Sequence, residues 1–217
     1  MQHAGSKPFD LLRALSHAGP GRAIEFYKQK QPIFSQGDPA DSVFYIQEGQ
    51  VTLAVISRQG KEAVISILGP ADFFGEGCLA GQPLRTSAAI AITKSSVLRV
   101  DREAMMLLLR NEPEFSEYFI SYLLRRNAWL QEGLADQLFN SSEKRLARVL
   151  LLLCRLGNGD EKEIVVPKIS QQVLADMVGT TRSRVSYFMN KFRKQGFIEY
   201  RREFRINTSL LKGFLRD

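Results

Sequence analysis

Glu76 and Arg85 are the side chains whose types and spacing best suit a small polar ligand. They stand in residues 73–91, FFGEGCLAGQPLRTSAAIA, where Gly75, Glu76 and a short insert of helical character interrupt a strand-rich stretch. A helix start exposes backbone N–H groups and an arginine adds a two-pronged donor, so together they can hold one phosphate. Glu76 can accept from a sugar hydroxyl beside it. The competing reading is a surface loop in which Arg85 pairs with Glu76 or with water.

A second constellation occupies residues 169–200, ISQQVLADMVGTTRSRVSYFMNKFRKQGFIEY, which reads as two short helices around Gly179. Ser170 is the N-cap candidate for the first, with Val173, Leu174, Met177 and Val178 on its buried side. Thr180 or Thr181 caps the second, and Val185, Phe188 and Phe192 give it a core-facing stripe. Its opposite face shows Arg182, Ser183, Ser186, Tyr187, Asn190 and Lys191, all able to hydrogen-bond. Such a helix, entered through a glycine turn, suits insertion into a DNA major groove. A helical hairpin with a solvated basic face is the alternative.

Charge separates the alternatives. The net charge of +7 is unevenly spread. Residues 1–140 hold 14 Lys/Arg against 15 Asp/Glu, and residues 141–217 hold 16 against 8. A neutral body with a basic C-terminal third points to a polyanion partner on that third. Cys78 and Cys154 form no ligand-spaced pair, which argues against a disulfide framework or a zinc site. His3 and His17 are the only histidines, so a Ser–His–Asp or metal-hydrolase site is hard to assemble, and no enzyme is expected. The chain shows no signal peptide and no apolar run of about 18 residues, so a cytoplasmic location without membrane contact is expected.

The elements that must position these residues can be read from texture. Residues 1–23 read as a leader whose Phe9, Leu11, Leu12 and Leu15 can dock on the strand-rich segment after it. Apolar or alternating runs at 24–27, 43–47, 51–57, 63–68 and 88–100 stand between turn signals, as in an antiparallel barrel or jelly roll. One of those turns, residues 37–42, is unusually shaped. Residues 112–138 read as one long helix with Pro113 in its first turn. Ile120, Leu123, Asn127, Leu130 and Leu134 form a heptad-like seam continued by Leu138, while Tyr118, Phe119, Tyr122 and Trp129 widen the apolar face towards the β-segment. The pattern breaks at 139–143. A helix over 143–156, a polar loop over 157–163, a short strand at 164–167 and a hairpin with Arg201 and Arg202 at its tip complete the C-terminal part. The two arginines suit backbone phosphates.

The turn, the FGE…RTS cassette, the long helix and the C-terminal helix–turn–helix, in this order, resemble the CRP/FNR family of bacterial transcription regulators over residues 24–217. The resemblance implies an α+β chain in three parts. Residues 1–111 would be a β-roll (double-stranded β-helix or jelly roll) of the cyclic-nucleotide-binding kind. Residues 112–140 would be a long dimerisation helix and hinge, and residues 141–217 a winged helix–turn–helix. Cyclic AMP or cyclic GMP is the implied effector, with Glu76 on the ribose 2′-hydroxyl, Arg85 on the cyclic phosphate and Thr86 as a second phosphate contact. Gly75 would allow close backbone approach. Cys78 and Ser87 depart from the family pattern. In the cyclic-AMP receptor a Thr-Ser pair reads adenine where Leu130 and Gln131 stand here. Leu130 can only pack on a base and Gln131 can hydrogen-bond its edge.

No cysteine lies in residues 1–50 and no histidine in the β-roll, so neither an iron–sulfur cluster nor haem is expected. The resemblance further implies a homodimer paired through Ile120, Leu123, Asn127, Leu130 and Leu134, an inverted-repeat DNA operator, and RNA polymerase as a partner. The expected DNA contacts are Ser170, Thr181, Arg182, Ser183, Ser186, Tyr187, Lys191, Arg201 and Arg202. Of these, Arg182, Ser183 and Tyr187 match the three base-reading positions of the cyclic-AMP receptor. Two rivals stand beside this reading: a regulator that binds DNA without a ligand, and a cyclic-nucleotide-binding regulator that does not act on DNA.

Overall fold

The computed structural model describes residues 20–57, 62–155, 163–166, 169–200 and 204–216. Most of the leader, the loop at 157–162 and the hairpin-tip residues Arg201 and Arg202 lie outside them.

The N-terminal part is two four-stranded antiparallel sheets. Strands β1 (Arg22–Tyr27), β8 (Ser95–Asp101), β3 (Ser42–Glu48) and β6 (Phe73–Phe74) form one, in the order β1-β8-β3-β6. Strands β2 (Pro32–Phe34), β7 (Ala88–Ala91), β4 (Val51–Ile56) and β5 (Glu62–Leu68) form the other, in the order β2-β7-β4-β5. The 88–100 run is thus two strands in different sheets. Strand β3 explains its own apolar sequence. Phe44 and Ile46 point between the sheets with Val51, Phe74 and Val97. Val43 and Tyr45 point the other way, onto a core completed by helices. With period 2 and both faces covered, VFYI is buried throughout.

Two helices cover the outer face of the first sheet. Helix α1 (Arg102–Asn111), absent from the sequence reading, contributes Ala104, Met105 and Leu108, a short i, i+1, i+4 stripe. Pro113 ends it, because a proline disfavours helical backbone at the residue before, and Glu112 sits at φ −119°, ψ 90°. Helix α2 (Pro113–Phe139) spans about 40 Å at 1.5 Å per residue. Its Phe115, Phe119 and Tyr122 bury against Phe73, with ring centroids 6.4, 5.2 and 5.4 Å away. Leu123 packs on this same core, so the outward seam runs through Leu124 in its place. Ile120, Leu124, Leu130, Leu134 and Leu138 are 45–68% exposed, and Asn127 is exposed among them.

The C-terminal part begins at α3 (Ser142–Arg155), which two residues separate from α2. Leu146, Leu150 and Leu153 meet α4 (Gln171–Val178) and α5 (Arg182–Lys194) in one core. A sheet of β9 (Glu163–Val166), β10 (Ile198–Tyr200) and β11 (Phe204–Asn207), ordered β10-β11-β9, closes it. A last helix, α6 (Thr208–Arg216), buries Leu211 and sets Phe214 against Phe192 and Phe197. Ile67 of β5 belongs to this core, with Val64 and Ile92 packed on it, so α4 rests on the β-roll.

Phe73 is the wedge between roll and long helix and is 1% exposed. Phe73→Ala should lower stability by roughly 3–5 kcal/mol, the usual cost of emptying a buried aromatic site. The shift in urea midpoint of the β-roll transition measures it.

Candidate functional site

The shaped turn at 37–42 is the cradle of Arg85. Arg85 N–H donates to Asp38 O (2.8 Å), Gly37 N–H to Arg85 O (2.9 Å) and Ala40 N–H to Pro83 O (2.9 Å). The segment is therefore stitched to the turn on both sides, and Arg85 is driven inward, its side chain only 4% exposed. There Nη1 donates to Ser42 O (2.8 Å) and Gly75 O (3.0 Å), and Nη2 to Ser42 Oγ (3.0 Å). The guanidinium lies 4.5 Å from the Phe34 ring centroid and 5.3 Å from that of Phe44. Asp41 Oδ1 is 3.6 Å from Nη2. Its Nε–H is buried without a partner. Burial pulls the Arg85 pKa down, as expected for a cation short of compensating charge. The surface-loop alternative, with Arg85 paired to Glu76 or water, does not describe this residue.

Glu76 is instead 3.4 Å from Arg126 of α2, whose Nη1 also donates to Phe73 O (2.7 Å). Phe73 N–H donates to Tyr122 Oη (3.0 Å), and the hydroxyl donates back to Phe73 O (3.0 Å). Burial, with Asp72 nearby, raises the Tyr122 pKa, so the hydroxyl stays a donor. Between these groups is a cleft of about 250 Å³, just below the usual range of about 300–1,000 Å³ for small-molecule sites. Glu76, Arg85, Arg126, Gln82, Thr86 and Ser87 supply its polar lining, and Phe34, Leu53, Ile65 and Leu84 its apolar lining. Gly75 is at φ 78°, and a Cβ there would lie 2.7 Å from Arg85 Nη1. The five-residue 3-10 turn Glu76–Ala80 is the short insert.

Gly75, Glu76, Arg85 and Thr86 thus come together, and Thr86 is exposed at the rim. Leu130 and Gln131 do not join them within one chain: both are exposed on α2 beyond Arg126. Arg126 was missing from the sequence reading. Its signal was available, one helical turn before Leu130 on the face that already held Tyr122 and Leu123.

In the C-terminal domain Ser170 Oγ accepts from Val173 N–H (3.2 Å) and Thr181 Oγ1 from Arg184 N–H (3.3 Å), so both residues cap. Gly179 turns the chain at φ 67°. Val185, Phe188, Met189 and Phe192 anchor α5, which turns Arg182, Ser183, Tyr187 and Asn190 outward, with Ser186 half-buried. Tyr187 is 67% exposed. Lys191 at the edge of this face is held 2.7 Å from Glu143 of α3, and that hydrogen bond raises its pKa.

Residues 24–112 match the model of the cyclic nucleotide-binding domain, and residues 144–209 that of the Crp-like helix-turn-helix domain. The "CRP-like cAMP-activated global transcriptional regulator" of Mycobacterium tuberculosis is 31% identical over 82% of this chain and 84% of its own. The chain belongs to the CRP/FNR family of transcription regulators. The "Cyclic AMP receptor protein" of Thermus thermophilus is 30% identical over 79% of this chain and 77% of its own. The solved structure of FixK2 from Bradyrhizobium japonicum superposes with a TM-score of 0.77 at 20% identity. It covers 88% of this chain and 96% of that one, and shows the same fold.

Family membership gives the two halves their roles, a nucleotide-binding-type roll and a DNA-binding head. No helix among the described residues is long and apolar enough to cross a membrane, and no cluster of metal-ligating residues occurs among them. Cys78 lines the cleft, yet it is 1% exposed and burial pushes its pKa up. Burial does the same to Cys154, to about 11. Thiols react as thiolates, so a raised pKa protects them below that pKa. Both cysteines should resist a disulfide reagent at pH 8 in the native protein and react only on unfolding, as thiol titration with and without urea will show.

Proposed function

We propose that the cleft binds a cyclic mononucleotide and that binding favours the DNA-reading arrangement of a homodimer. The observation that carries this is the buried Arg85 guanidinium beside Glu76, with its Nε–H unpartnered. A cyclic phosphate supplies the missing acceptor and charge, Thr86 adds a hydroxyl at the rim, and Glu76 takes the ribose 2′-hydroxyl. Gly75 leaves room for the Arg85 guanidinium, whose Nη1 a Cβ there would meet at 2.7 Å. Arg126, bound to Glu76, connects that ligand to α2. A second connection runs through β5, where the bulge residue Ile65 lines the cleft and Val64 and Ile67 meet the DNA-binding domain. A ligand works here only through unequal affinity for two domain arrangements. The relatives described as cAMP-activated support a cyclic nucleotide as effector. We infer RNA polymerase as a partner and the cytoplasm as location from the same kinship.

Calorimetric titration with cyclic AMP, cyclic GMP and cyclic di-GMP tests the ligand. Binding of one of the two mononucleotides is expected, with relaxed base preference because Leu130 and Gln131 replace the Thr-Ser pair. Arg85 is tied into Ser42 and Gly75, so Arg85→Lys, which keeps the charge and loses the fork, is a better probe than Ala. It should weaken binding at least tenfold. No heat with any of the three at millimolar ligand would favour the ligand-independent reading.

The exposed seam of α2 is proposed to pair with that of a second copy, Asn127 fixing the register. Lysines at both Leu124 and Leu134 should convert the dimer to monomers in sedimentation at micromolar protein, with both domains still folded by circular dichroism. Leu123, packed on the roll, is left intact.

On α5, Arg182 has the fork that matches guanine O6 and N7. Ser183 can donate or accept and imposes no strict cytosine. Tyr187 suits a thymine methyl or a phosphate. Arg182→Ala should cost roughly 1–3 kcal/mol of operator affinity and relax selection at one base pair per half-site. Selection from a randomised duplex pool checks this. Identical base preferences for wild type and variant would reduce Arg182 to a phosphate contact.

A further inference from the structure

We propose that Arg145 is a positioning residue that locks the helix–turn–helix to the hinge and thereby sets the half-site spacing the protein accepts. Arg145 lies one turn into α3, just after the two residues that separate it from α2. Its Nε donates to Val178 O (2.9 Å) and its Nη2 reaches Gly179 O (3.4 Å), the carbonyls at the end of α4. On the other side Nη1 donates to Asn140 O (3.0 Å), in the hinge. The final carbonyls of a helix lack intrahelical partners and carry partial negative charge, so a cation there is favourable. One planar guanidinium thus spans the hinge and the glycine turn of the DNA-reading motif. An ammonium cannot, because it offers a point charge without the fork.

Two residues earlier, Glu143 holds Lys191 of α5 at 2.7 Å. Both helices of the motif are therefore tied to the same turn of α3, beside the end of α2. The core of the domain is built by other side chains, among them Leu146, Leu150, Val178 and Phe192, all wholly buried. What Arg145 adds, beside the packing of α4 on β5, is a fixed angle between the long helix and the reading helix. In a dimer joined along α2, that angle fixes the separation and phase of the two reading helices. The inference rests on the proposed dimer.

The test is affinity of the full chain for duplexes carrying two unchanged half-sites on spacers of different length. Adding two base pairs turns one half-site by about a fifth of a helical turn. For the wild type this should cost roughly tenfold or more, a loss on the scale of one mismatched base pair. In Arg145→Lys and Arg145→Ala the cost should shrink to within about twofold, with the preferred bases in each half-site unchanged. A domain merely weakened by the substitution would lose affinity equally at every spacing. Such a uniform loss, or a wild-type profile in both variants, overturns the proposal. Thermal melting of Arg145→Lys establishes that it is folded. A wild-type protein that sediments as a monomer overturns the proposal together with the dimer reading. A wild-type dimer with a sharp spacing profile, matched by both variants, overturns the proposal alone.

Discussion

Two adjacent phenylalanines organise the N-terminal domain. In a strand, neighbouring side chains point to opposite faces, so Phe73 and Phe74 enter different cores. Phe74 stacks on Phe44 at 5.0 Å between the sheets. Phe73 fills the space between the first sheet and α2, against Phe115, Phe119 and Tyr122. Its backbone is taken up by the same helix, through Tyr122 and Arg126. Gly75 and Glu76 come directly after it, so the cleft inherits its position from this wedge. A shift of α2 along the roll has to move Arg126, and with it the partner of Glu76.

The cleft itself is an electrostatic problem partly solved. A guanidinium without nearby water is costly unless its donors are filled. Ser42 and Gly75 fill part of the fork, and the rings of Phe34 and Phe44 flank it. Asp41 contributes charge only from 3.6 Å and from a largely exposed position. Such an arrangement holds the arginine in place with one of its donors unfilled. The turn at 37–42, whose composition could pass for an ordinary loop, keeps that side chain buried.

In the C-terminal domain the division of labour is between anchoring and presentation. Val185, Phe188, Met189 and Phe192 hold α5 to its core, which frees the opposite face for polar work. Lys191 is drawn back by Glu143, so it joins the scaffold as much as the reading face. The contact of α4 with β5 means that the head is seated on the roll as well as joined to it by the two residues between α2 and α3. The two routes between cleft and head, through α2 and through β5, share no residue.

Local pattern was enough for much of this. The strand runs, the long helix after Pro113, the glycine turn with its cap Ser170 and a threonine cap at 180 or 181, and the polar face of α5 each come from short-range periodicity and turn chemistry. Those rules act within a few residues, which is why they survive without a structure. Helix α1 escaped because its apolar stripe is brief and comes directly after a strand. Pairings between distant segments could not be read at all. That Arg85 turns inward to Ser42, that Glu76 meets Arg126 and not Arg85, and that Leu123 faces the roll while Leu124 faces out were decided by tertiary packing. A long polar side chain has several partners within reach of its rotamers, and an amphipathic helix has a seam only a few tens of degrees wide. Sequence supplies the candidates, and only the positions of the other elements in space choose among them.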